Sequence, residues 1–344
     1  MLILGIESSC DETAAAIIKS QKGGLSLCSN VISSQINLHK KYGGVVPEVA
    51  AREHVLNILP VIEEALETAG IQRKEAAKKI SAIAVTTGPG LITSLMVGIE
   101  TAKTLAYVWK LPLITVNHIE GHLYSNFIQA SPQLPAIILT VSGGHTQLVL
   151  MKNHLHYKTI GETRDDAAGE AFDKAAKLLG LGYPGGPMVS KQAQSWATKN
   201  KNQQSTIILP RPMIKDISFD FSFSGLKTAL LYAIRDDNNY KKRIPEYCFA
   251  FEQAVVDVLV AKTIRAAKKF GVSSVMLAGG VAANTALREK LSEEVKKLGL
   301  HFYMPELNYT TDNAAMIAAA GYYKLKAKKT IPWQKVKVDP NLEL

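Results

Sequence analysis

The sequence predicts an α/β protein of two related lobes, and three observations support this prediction. The chain has 344 residues, about twice the size of a common domain. Apolar runs typical of strands alternate along it with longer helical patterns, an order typical of α/β layers. Each half of the chain also opens with the same unit, which consists of a strand, a short polar turn and a second strand.

The two hairpins come first in their halves. Each consists of an apolar run, a polar turn and a second apolar run, at residues 2–6, 7–13 and 14–18 in the first hairpin and at residues 136–141, 142–146 and 147–151 in the second. Further helices are predicted at residues 48–69, 93–109, 167–179, 246–269 and 283–298, and further strands at residues 80–86, 113–116 and 274–278. Pro132 and Pro135 disfavour a continuous helix and mark the boundary between the lobes. Residues 192–205 are polar and are predicted to form a surface excursion.

The composition excludes several classes of protein. Hydrophobic residues make up 47% and charged residues 20% of the chain, which excludes disordered and collagen-like chains. No apolar run reaches the roughly 18 to 20 residues of a membrane helix, and the first residues lack the basic leader of a secretory signal. The three cysteines fit neither a metal knuckle nor a disulfide framework. We therefore expect a cytoplasmic protein without a membrane span.

The charge balance favours a polyanionic partner. Lysine and arginine number 40 against 30 acidic residues, a net charge of +10. RNA or DNA is the first candidate for such a partner, and a merely basic, soluble enzyme is an equal alternative. Near the end of the chain, Lys324 is followed by Lys326, Lys328, Lys329, Lys335 and Lys337. We interpret these lysines as a solvated basic surface, with a nucleic-acid contact as the alternative.

His118 and His122 are candidate metal ligands. Side chains four positions apart on a helix share one face, about one turn apart, so this pair can bind one divalent metal. Two unrelated polar or core histidines are the alternative. The zinc-protease motif H-E-x-x-H has the same histidine spacing, but here Glu120 lies two positions after His118, about 200° around the helix. That position argues against protease chemistry.

A pair of histidines needs a further ligand, and Asp312 is the candidate. It lies within residues 310–318, where a polar turn runs into an alanine-rich helix, and it suits the N-cap of that helix. It equally suits a carboxylate that completes a site of two histidines and one carboxylate. The spacing in the sequence does not choose between these interpretations.

Glycine-rich segments at the ends of strands favour nucleotide binding. Four such segments occur, at residues 86–90, 142–145, 183–187 and 277–281. Each alone is typical of an ordinary turn, but together they allow backbone amides to approach a phosphate closely. The P-loop and Rossmann motifs are absent. Asp166 and Asp173 lie two helical turns apart, so both can face one cleft and bind ribose hydroxyls, whereas the alternative for acids at a helix start is dipole compensation.

Several of these segments together resemble the bacterial TsaD proteins of the Kae/TsaD family. They are GIESSCDET at residues 5–13, HIEGH at 118–122, VSGGHTQL at 141–148, residues 165–187, FDFSFSGLKT at 219–228, AGGVAAN at 278–284 and TDN at 311–313. The resemblance covers nearly the whole chain in order. Residues 192–205, residues 236–243 and the basic tail match least.

The resemblance implies the ASKHA fold of actin, Hsp70 and sugar kinases, with two lobes around a nucleotide cleft. Residues 1–132 would form the first lobe, which a helix at about 312–330 completes, residues 133–311 the second lobe, and residues 331–344 a basic tail. The implied activity transfers a threonylcarbamoyl group from threonylcarbamoyl-AMP to N6 of the adenosine 3′-adjacent to the anticodon, in tRNAs reading codons that begin with A. The implied partner proteins are TsaB-like and TsaE-like.

The resemblance also implies the site residues. The family's iron or zinc ligands, with iron(II) favoured here, fall on His118, His122 and Asp312. Its contacts to the adenylate substrate fall on Thr140, Val141, Ser142, Gly143, Gly144, Asp173, Gly186 and Asn284.

The chemistry of the transfer also indicates catalytic roles. The exocyclic amine of adenine is a poor nucleophile, so a site must take its proton and stabilise the departing AMP. His145 would hydrogen-bond the phosphate, and Asp11 or Glu12 would orient the amine or accept its proton. Cys10 is unnecessary as a covalent nucleophile because the acyl donor is already activated.

Two other classes of function share parts of this pattern. An ASKHA phosphotransferase would have the same lobes and glycine turns but would not require the histidine pair. A non-catalytic nucleotide-binding scaffold would tolerate the loss of that pair. The endopeptidase activity once ascribed to the family is disfavoured by the position of Glu120.

Overall fold

The computed structural model describes residues 1–201, 203 and 205–344, which divide into two compact units. The first unit comprises residues 1–132 and 305–344, and the second comprises residues 133–304. The chain therefore returns to the first unit at Pro305, earlier than the helix at about 312 that we expected to complete it.

The elements follow in chain order, and the predicted helices and strands are all present. Residues 1–132 form β1 (Leu2–Glu7), β2 (Glu12–Gln21), β3 (Gly24–Ser34), α1 (Ile36–His39), α2 (Pro47–Thr68), α3 (Arg73–Lys79), β4 (Ala82–Gly88), α4 (Ile92–Trp109), β5 (Leu113–Asn117) and α5 (His118–Ser125). Residues 133–304 form β6 (Ala136–Val141), β7 (Thr146–Asn153), β8 (His156–Glu162), α6 (Ala168–Leu178), α7 (Gly185–Lys199), α8 (Ser224–Arg235), α9 (Ile244–Phe270), β9 (Ser274–Ala278), α10 (Thr285–Lys297) and β10 (His301–Tyr303). The chain ends with α11 (Ala314–Lys326) and a short 3₁₀ turn at Trp333–Lys335.

The sheet of the first unit has the strand order β3-β2-β1-β4-β5. Strands β1, β2 and β3 form an antiparallel meander, whereas β1, β4 and β5 run parallel. Successive residues of a strand face opposite sides of the sheet, so Leu4 and Ile6 join a core with α2 and α4. Gly5 faces the other side, where a Cβ would lie 2.8 Å from the backbone nitrogen of Ala318 in α11. The absence of a side chain at Gly5 thus lets α11 pack closely on the sheet.

The sheet of the second unit repeats this topology. Its strand order is β10-β9-β6-β7-β8. Strands β6, β7 and β8 form the antiparallel meander, and β6, β9 and β10 run parallel. The core of this unit lies between the sheet and its helices, with the buried helix α9 contributing many of its side chains. The prediction of two related α/β lobes, each opened by a hairpin, is confirmed.

Two local expectations need correction. Of the polar stretch at 192–205, residues 192–199 belong to helix α7, because Val189 and Ala193 anchor that helix in the core; Asn202 and Gln204 lie outside the described residues.

The segment 331–344 does not form a separate tail. It is packed against the first unit, where Ile331 pairs with Leu113 of β5 and Val336 is buried. Its lysines Lys335 and Lys337 remain exposed. None of the helices in the described part of the chain is long and apolar enough to cross a membrane.

Candidate functional site

Helix α5 places two histidines beside one carboxylate in the first unit. His118 is the first residue of α5 and His122 lies one turn further on, so that their ring centroids are 4.7 Å apart. Asp312 Oδ1 lies 3.4 Å from His118 Nε2 and 3.2 Å from His122 Nε2. The three side chains form the candidate metal site; the histidine spacing predicted that His118 and His122 share one face of a helix, but it did not predict Asp312.

The structure also decides between the two interpretations of Asp312. The N-cap of α11 is Asn313, whose side chain accepts a hydrogen bond from the backbone N–H of Met316 at 3.0 Å. Asp312 is therefore free of that task and turns its carboxylate to the histidines. Burial raises the pKa of Asp312, but the charges and hydrogen bonds of His118 and His122 outweigh burial and hold the pKa far below its usual range. The carboxylate is ionised, as a metal ligand must be.

The three side chains fit a transition-metal ion. Ligand atoms that bind one zinc or iron ion at about 2.1 Å, and at angles of about 90–110°, lie about 3.0–3.4 Å from one another. The separations of Asp312 Oδ1 from the two Nε2 atoms, 3.4 and 3.2 Å, match this range, and the three ligand atoms all lie within 4.8 Å of one another. In the described part of the chain, the buried Nε2 of His122 has no hydrogen bond of good geometry. A bound cation would satisfy this atom.

Behind His118 lies the buried carboxylate of Glu7. Glu7 Oε2 is 3.1 Å from His118 Nδ1 and accepts a hydrogen bond from Thr86 Oγ1 at 2.7 Å. Burial raises the pKa of Glu7, but the charge and hydrogen bond of His118 outweigh it and lower that pKa overall. Glu7 therefore keeps a proton on Nδ1 and leaves Nε2 directed at Asp312, the arrangement that carboxylates impose on metal-binding histidines.

The other acids of the first hairpin turn, Asp11 and Glu12, are almost completely buried. Burial, followed by the negative charges of Asp312 and Asp11, raises the pKa of Glu12 to about 10. Glu12 is thus protonated at neutral pH in this arrangement. Burial also raises the pKa of the Cys10 thiol, which opposes formation of a thiolate nucleophile. The acyl donor is already activated, and Cys10 is not a thiolate in this environment. Both observations argue against covalent catalysis through Cys10.

Glu120 lies on the far side of α5 from the histidine pair, as its position in the sequence predicts. Its buried carboxylate is 2.5 Å from Lys324 Nζ on α11, and the same ammonium donates to the carbonyl of Thr115 at 2.9 Å. Glu120 and Lys324 thus fix α5 to α11. Lys324 does not belong to the exposed lysine group.

In the second unit, the β6–β7 turn has a different character. Thr140 and Val141 end β6 and are buried, whereas Gly143 and Gly144 are exposed, and a Cβ on either would meet no atom within 4 Å. The turn is closed by Ser142, whose Oγ accepts from the backbone N–H of His145 at 3.1 Å. The result is an open backbone surface that a phosphate can approach closely.

The remaining predicted adenylate contacts are connected to this turn through the second unit. The N–H of Gly169, at the start of α6, donates to the carbonyl of Ser142 at 3.2 Å. Asp173 on α6 accepts from the N–H of Gly185 at 2.6 Å, and the adjacent Gly186 has open space where its side chain would be. From α7, the connection continues to Asn284, whose Nδ2 lies 2.8 Å from Ser190 Oγ. The N-termini of α6, α7 and α10 therefore belong to one network.

Asp166 does not join this network. It precedes α6 rather than lying on it, and its carboxylate is paired with Lys174 Nζ at 2.5 Å. The expectation that Asp166 and Asp173 lie two turns apart on one helix is therefore wrong. The cause is the start of α6 at Ala168, two residues later than Asp166.

A comparison with protein families supplies the identification. The family model for TsaD, tRNA N6-adenosine threonylcarbamoyltransferase, matches residues 26–319. The chain belongs to the TsaD family. Its relatives include the proteins named tRNA N6-adenosine threonylcarbamoyltransferase of Dehalococcoides mccartyi, 51% identical over 330 residues and covering 96% of this chain and 95% of the relative, and of Thermomicrobium roseum, 50% identical over 351 residues and covering 94% and 92%. The predicted activity, modification of tRNA by threonylcarbamoyl transfer to adenosine N6, is confirmed.

Solved structures confirm the ASKHA-type fold of this TsaD protein. HypF of T. kodakarensis matches 95% of this chain with 48% of its own length, at a TM-score of 0.62 and 15% identity. The activator of the 2-hydroxyisocaproyl-CoA dehydratase from Clostridium difficile, solved with bound ADPNP, matches 96% of this chain with 98% of its own, at a TM-score of 0.53 and 14% identity.

Some site residues of the TsaD chain escaped sequence reasoning. They are Glu7, Thr86 and Asn117, which support His118 or cap its helix, and Ser190 and Glu252, which accept hydrogen bonds from Asn284. Glu7 carried a signal, because it is a carboxylate at the end of an otherwise apolar strand. The other four are ordinary polar residues in their sequence context, and only the fold places them beside site residues.

Proposed function

We propose that this TsaD protein binds threonylcarbamoyl-AMP through its second unit and one divalent metal ion, iron(II) or zinc, through its first. The observation that carries the proposal is the connected network of the second unit, which joins the residues expected to contact the adenylate. The fit of His118, His122 and Asp312 to one metal ion supports the second part. The endopeptidase alternative gains no support, since Glu120 is engaged with Lys324.

The open turn at Ser142–Gly144 is proposed to receive the phosphate of the adenylate. Its two glycines leave the backbone amides accessible, and the N-terminus of α6, which contacts the turn, favours negative charge. Both features stabilise the charge that develops on AMP as the bond between the carbamoyl carbon and the phosphate oxygen breaks. The side chain of His145 is proposed to add a hydrogen bond to the same phosphate.

Asp173 and Asn284 are proposed to hold the nucleoside part. Burial raises the pKa of Asp173, although the backbone N–H groups of Gly185 and Gly186 oppose this effect. With Oδ1 bound to Gly185, Oδ2 can accept from a ribose hydroxyl. Asn284 directs its Nδ2 to Ser190 and Glu252 and its Oδ1 to the backbone N–H of Leu287, so we expect a substrate to use the second lone pair of Oδ1.

In the first unit, His118, His122 and Asp312 would hold the metal ion. A bound divalent ion would supply Lewis-acid polarisation of donor oxygens. The amine of adenosine loses a proton as its nitrogen bonds to the carbamoyl carbon, and that proton needs an acceptor. We propose Asp11 or Glu12, the two buried acids of the first hairpin turn, for this role.

TsaB-like and TsaE-like proteins are proposed as partners, and the cytoplasm as the location. Helices α2 and α4 expose several large apolar side chains, which favours a protein interface there. These side chains are Val55, Leu56, Leu59, Ile92 and Met96. Monomeric proteins rarely expose many such side chains together.

The test is a reconstitution. The protein is mixed with threonylcarbamoyl-AMP, unmodified tRNA and the partner proteins, and the modified nucleoside is measured by mass spectrometry. We expect product, and we expect AMP alone to compete with the donor. Absence of product under conditions that support a known relative would contradict the proposal, and product formation without competition by AMP would contradict the assigned adenylate site.

A further inference from the structure

We propose that residues 339–343 act as a strap that positions the metal-binding helix α5, and that Asn117 is the positioning residue through which the strap acts. The inference rests on the proposed metal site at His118, His122 and Asp312. It assigns a role to a segment that the sequence presented as a basic tail.

Asn117 connects helix α5 to the strap with both ends of its side-chain amide. Its Oδ1 accepts hydrogen bonds from the backbone N–H groups of Ile119 at 2.8 Å and Glu120 at 3.2 Å, and so caps α5. Its Nδ2 donates to the carbonyl oxygens of Leu342 at 3.0 Å and Glu343 at 3.1 Å. The next residue is His118, so the strap is bonded to the residue that directly precedes a proposed metal ligand.

The strap is also fixed to the neighbouring strand β4. The backbone N–H of Asp339 donates to the carbonyl of Thr87 at 2.9 Å, and the N–H of Gly90 donates to the carbonyl of Pro340 at 3.2 Å. A Cβ at Gly88 would overlap the carbonyl oxygen of Asp339. Gly88 therefore has to lack a side chain for the strap to lie where it does.

The end of β4 supports His118 by a second route. Thr86, next to the strap contact at Thr87, donates to Glu7 at 2.7 Å, and Glu7 contacts His118 Nδ1 at 3.1 Å. The strap thus holds two supports of His118 together, the N-cap of its helix and the strand that orients Glu7.

The chemistry of the amide explains why the cap is asparagine. Aspartate and serine cap helices as well as asparagine does, but an ionised aspartate has no hydrogen to donate to a carbonyl. Helix α5 has eight residues, and a helix of this length depends on tertiary contacts for its stability. A residue that both caps the helix and bonds to the strap provides such a contact at the end where His118 lies.

The test uses two variants of the full protein and zinc as the probe. Asn117→Asp keeps the size and the capping oxygen but removes both hydrogen bonds to the strap. A truncation after Val338 removes the strap itself. Zinc affinity is measured by competition with a chromophoric chelator, and the cobalt(II) absorption spectrum reports the coordination geometry.

We expect each variant to bind zinc about 10-fold or more weakly, the usual effect of losing a group that orients a metal ligand. Cobalt(II) absorption should change in both. Combining the two changes should add little, because both remove the same contact. Lys337→Gln, an exposed position just before the strap, is the matched control and should bind zinc as the wild type does.

Other outcomes would overturn the inference. A folded Asn117→Asp protein with wild-type zinc affinity and cobalt spectrum would show that the strap does not position α5. A lower melting temperature with unchanged zinc affinity and cobalt spectrum, measured well below melting, would assign the strap a structural role only. If the wild type itself binds no zinc or cobalt, the proposed metal site fails, which is a different result from a strap that has no effect.

Discussion

The two hairpin turns occupy equivalent places in the two sheets but differ in chemistry. In the first unit, the turn after β1 is buried and acidic, with Glu7, Asp11 and Glu12 all less than a tenth exposed. In the second, the turn after β6 is open, with Gly143 and Gly144 exposed. The same topology therefore presents carboxylates in one unit and backbone amides in the other.

Because of this difference, two units of the same topology suit different ligands. The carboxylate at the end of β1 and the histidines that follow β5 suit a cation, whereas amides and helix N-termini at the end of β6 suit an anion. In parallel arrangements, strand ends are where ligands bind. In our proposal, the sheets determine where each ligand site lies, and the residues of the turns determine which charge it accepts.

We expect the largest effect from variants that remove the proposed cation site of the first unit. His118→Ala and His122→Ala should each lose stoichiometric metal and more than about 100-fold of transfer activity, because a lost ligand costs more than a lost supporting group. Metal content is measured by elemental analysis, and AMP binding by calorimetry. AMP affinity should be retained, since the proposed adenylate site lies in the other unit.

His156→Ala, an exposed histidine of the second unit, is the control and should keep both metal and activity. Stoichiometric metal in a His118→Ala, His122→Ala double variant would show that the ligands lie elsewhere.

The reciprocal change closes the open turn of the second unit. Gly143→Val places a branched side chain where a Cβ meets no atom within 4 Å, so we expect a folded protein. Affinity for AMP should fall by about 10-fold or more, a loss of about 1.4 kcal/mol, while zinc binding is unchanged. Gly44→Val, at an equally open position of the first unit, should leave AMP affinity intact. Equal AMP affinity in Gly143→Val and wild type would show that the phosphate of AMP does not bind at this turn.

The sequence alone predicted part of the proposed metal site, but it predicted the adenylate contacts only through family resemblance. The histidine pair was readable because a helix brings positions 118 and 122 onto one face. Asp312 was undecided, since its meeting with the histidines depends on the return of the chain from residue 305, a long-range contact. The adenylate residues came from family resemblance. Their connection through Asp173, Gly185 and Ser190 depends on how α6 and α7 pack, which no local pattern encodes.

The strap illustrates the same limit. Lysines at residues 324–337 indicated a solvated surface, and the lysines after Lys324 are exposed. The contacts of the segment, however, are made by backbone atoms of Asp339, Pro340 and Leu342. Backbone contacts leave little trace in side-chain composition, and composition was the only signal available there.

A smaller effect concerns the buried acid of the second unit, Glu252, which lies beside Asn284. Burial raises the pKa of Glu252, and hydrogen bonds from Ser190 and Asn284 oppose this only in part. The folded state therefore binds a proton more tightly than the unfolded state. The resulting stabilisation is present below the unfolded pKa and is lost as pH rises towards the folded pKa.

Glu252→Gln, which cannot ionise, should remove this loss. We expect the free energy of unfolding of the wild type to fall relative to that of the variant as pH rises above about 4, the usual pKa of a glutamate. Urea unfolding at several pH values measures it. Glu289 is an exposed glutamate on α10. The free energy of unfolding of Glu289→Gln should depend on pH in the same way as that of the wild type. Parallel curves for Glu252→Gln as well would mean that Glu252 has the same pKa in both states.

The smallest expected effect concerns RNA and belongs to neither hairpin. Lys326, Lys328 and Lys329 are exposed at the end of α11 and just beyond it, and the chain carries a net charge of +10. Lysines that contact phosphates release counterions from the RNA, so replacing all three with glutamine should weaken tRNA binding and flatten its salt dependence, by about one unit of slope for each lost contact.

Neither the proposed metal site nor the proposed phosphate turn contains these lysines. AMP affinity and zinc affinity should therefore stay at wild-type values while the salt slope for tRNA changes. Replacing Lys22, Lys40 and Lys41, which are exposed elsewhere in the first unit, removes the same charge and separates a local contact from a general effect of net charge. If both triple variants flatten the slope equally, the lysines after Lys324 act only through net charge. If neither does, the RNA surface lies elsewhere on this chain or on its partners.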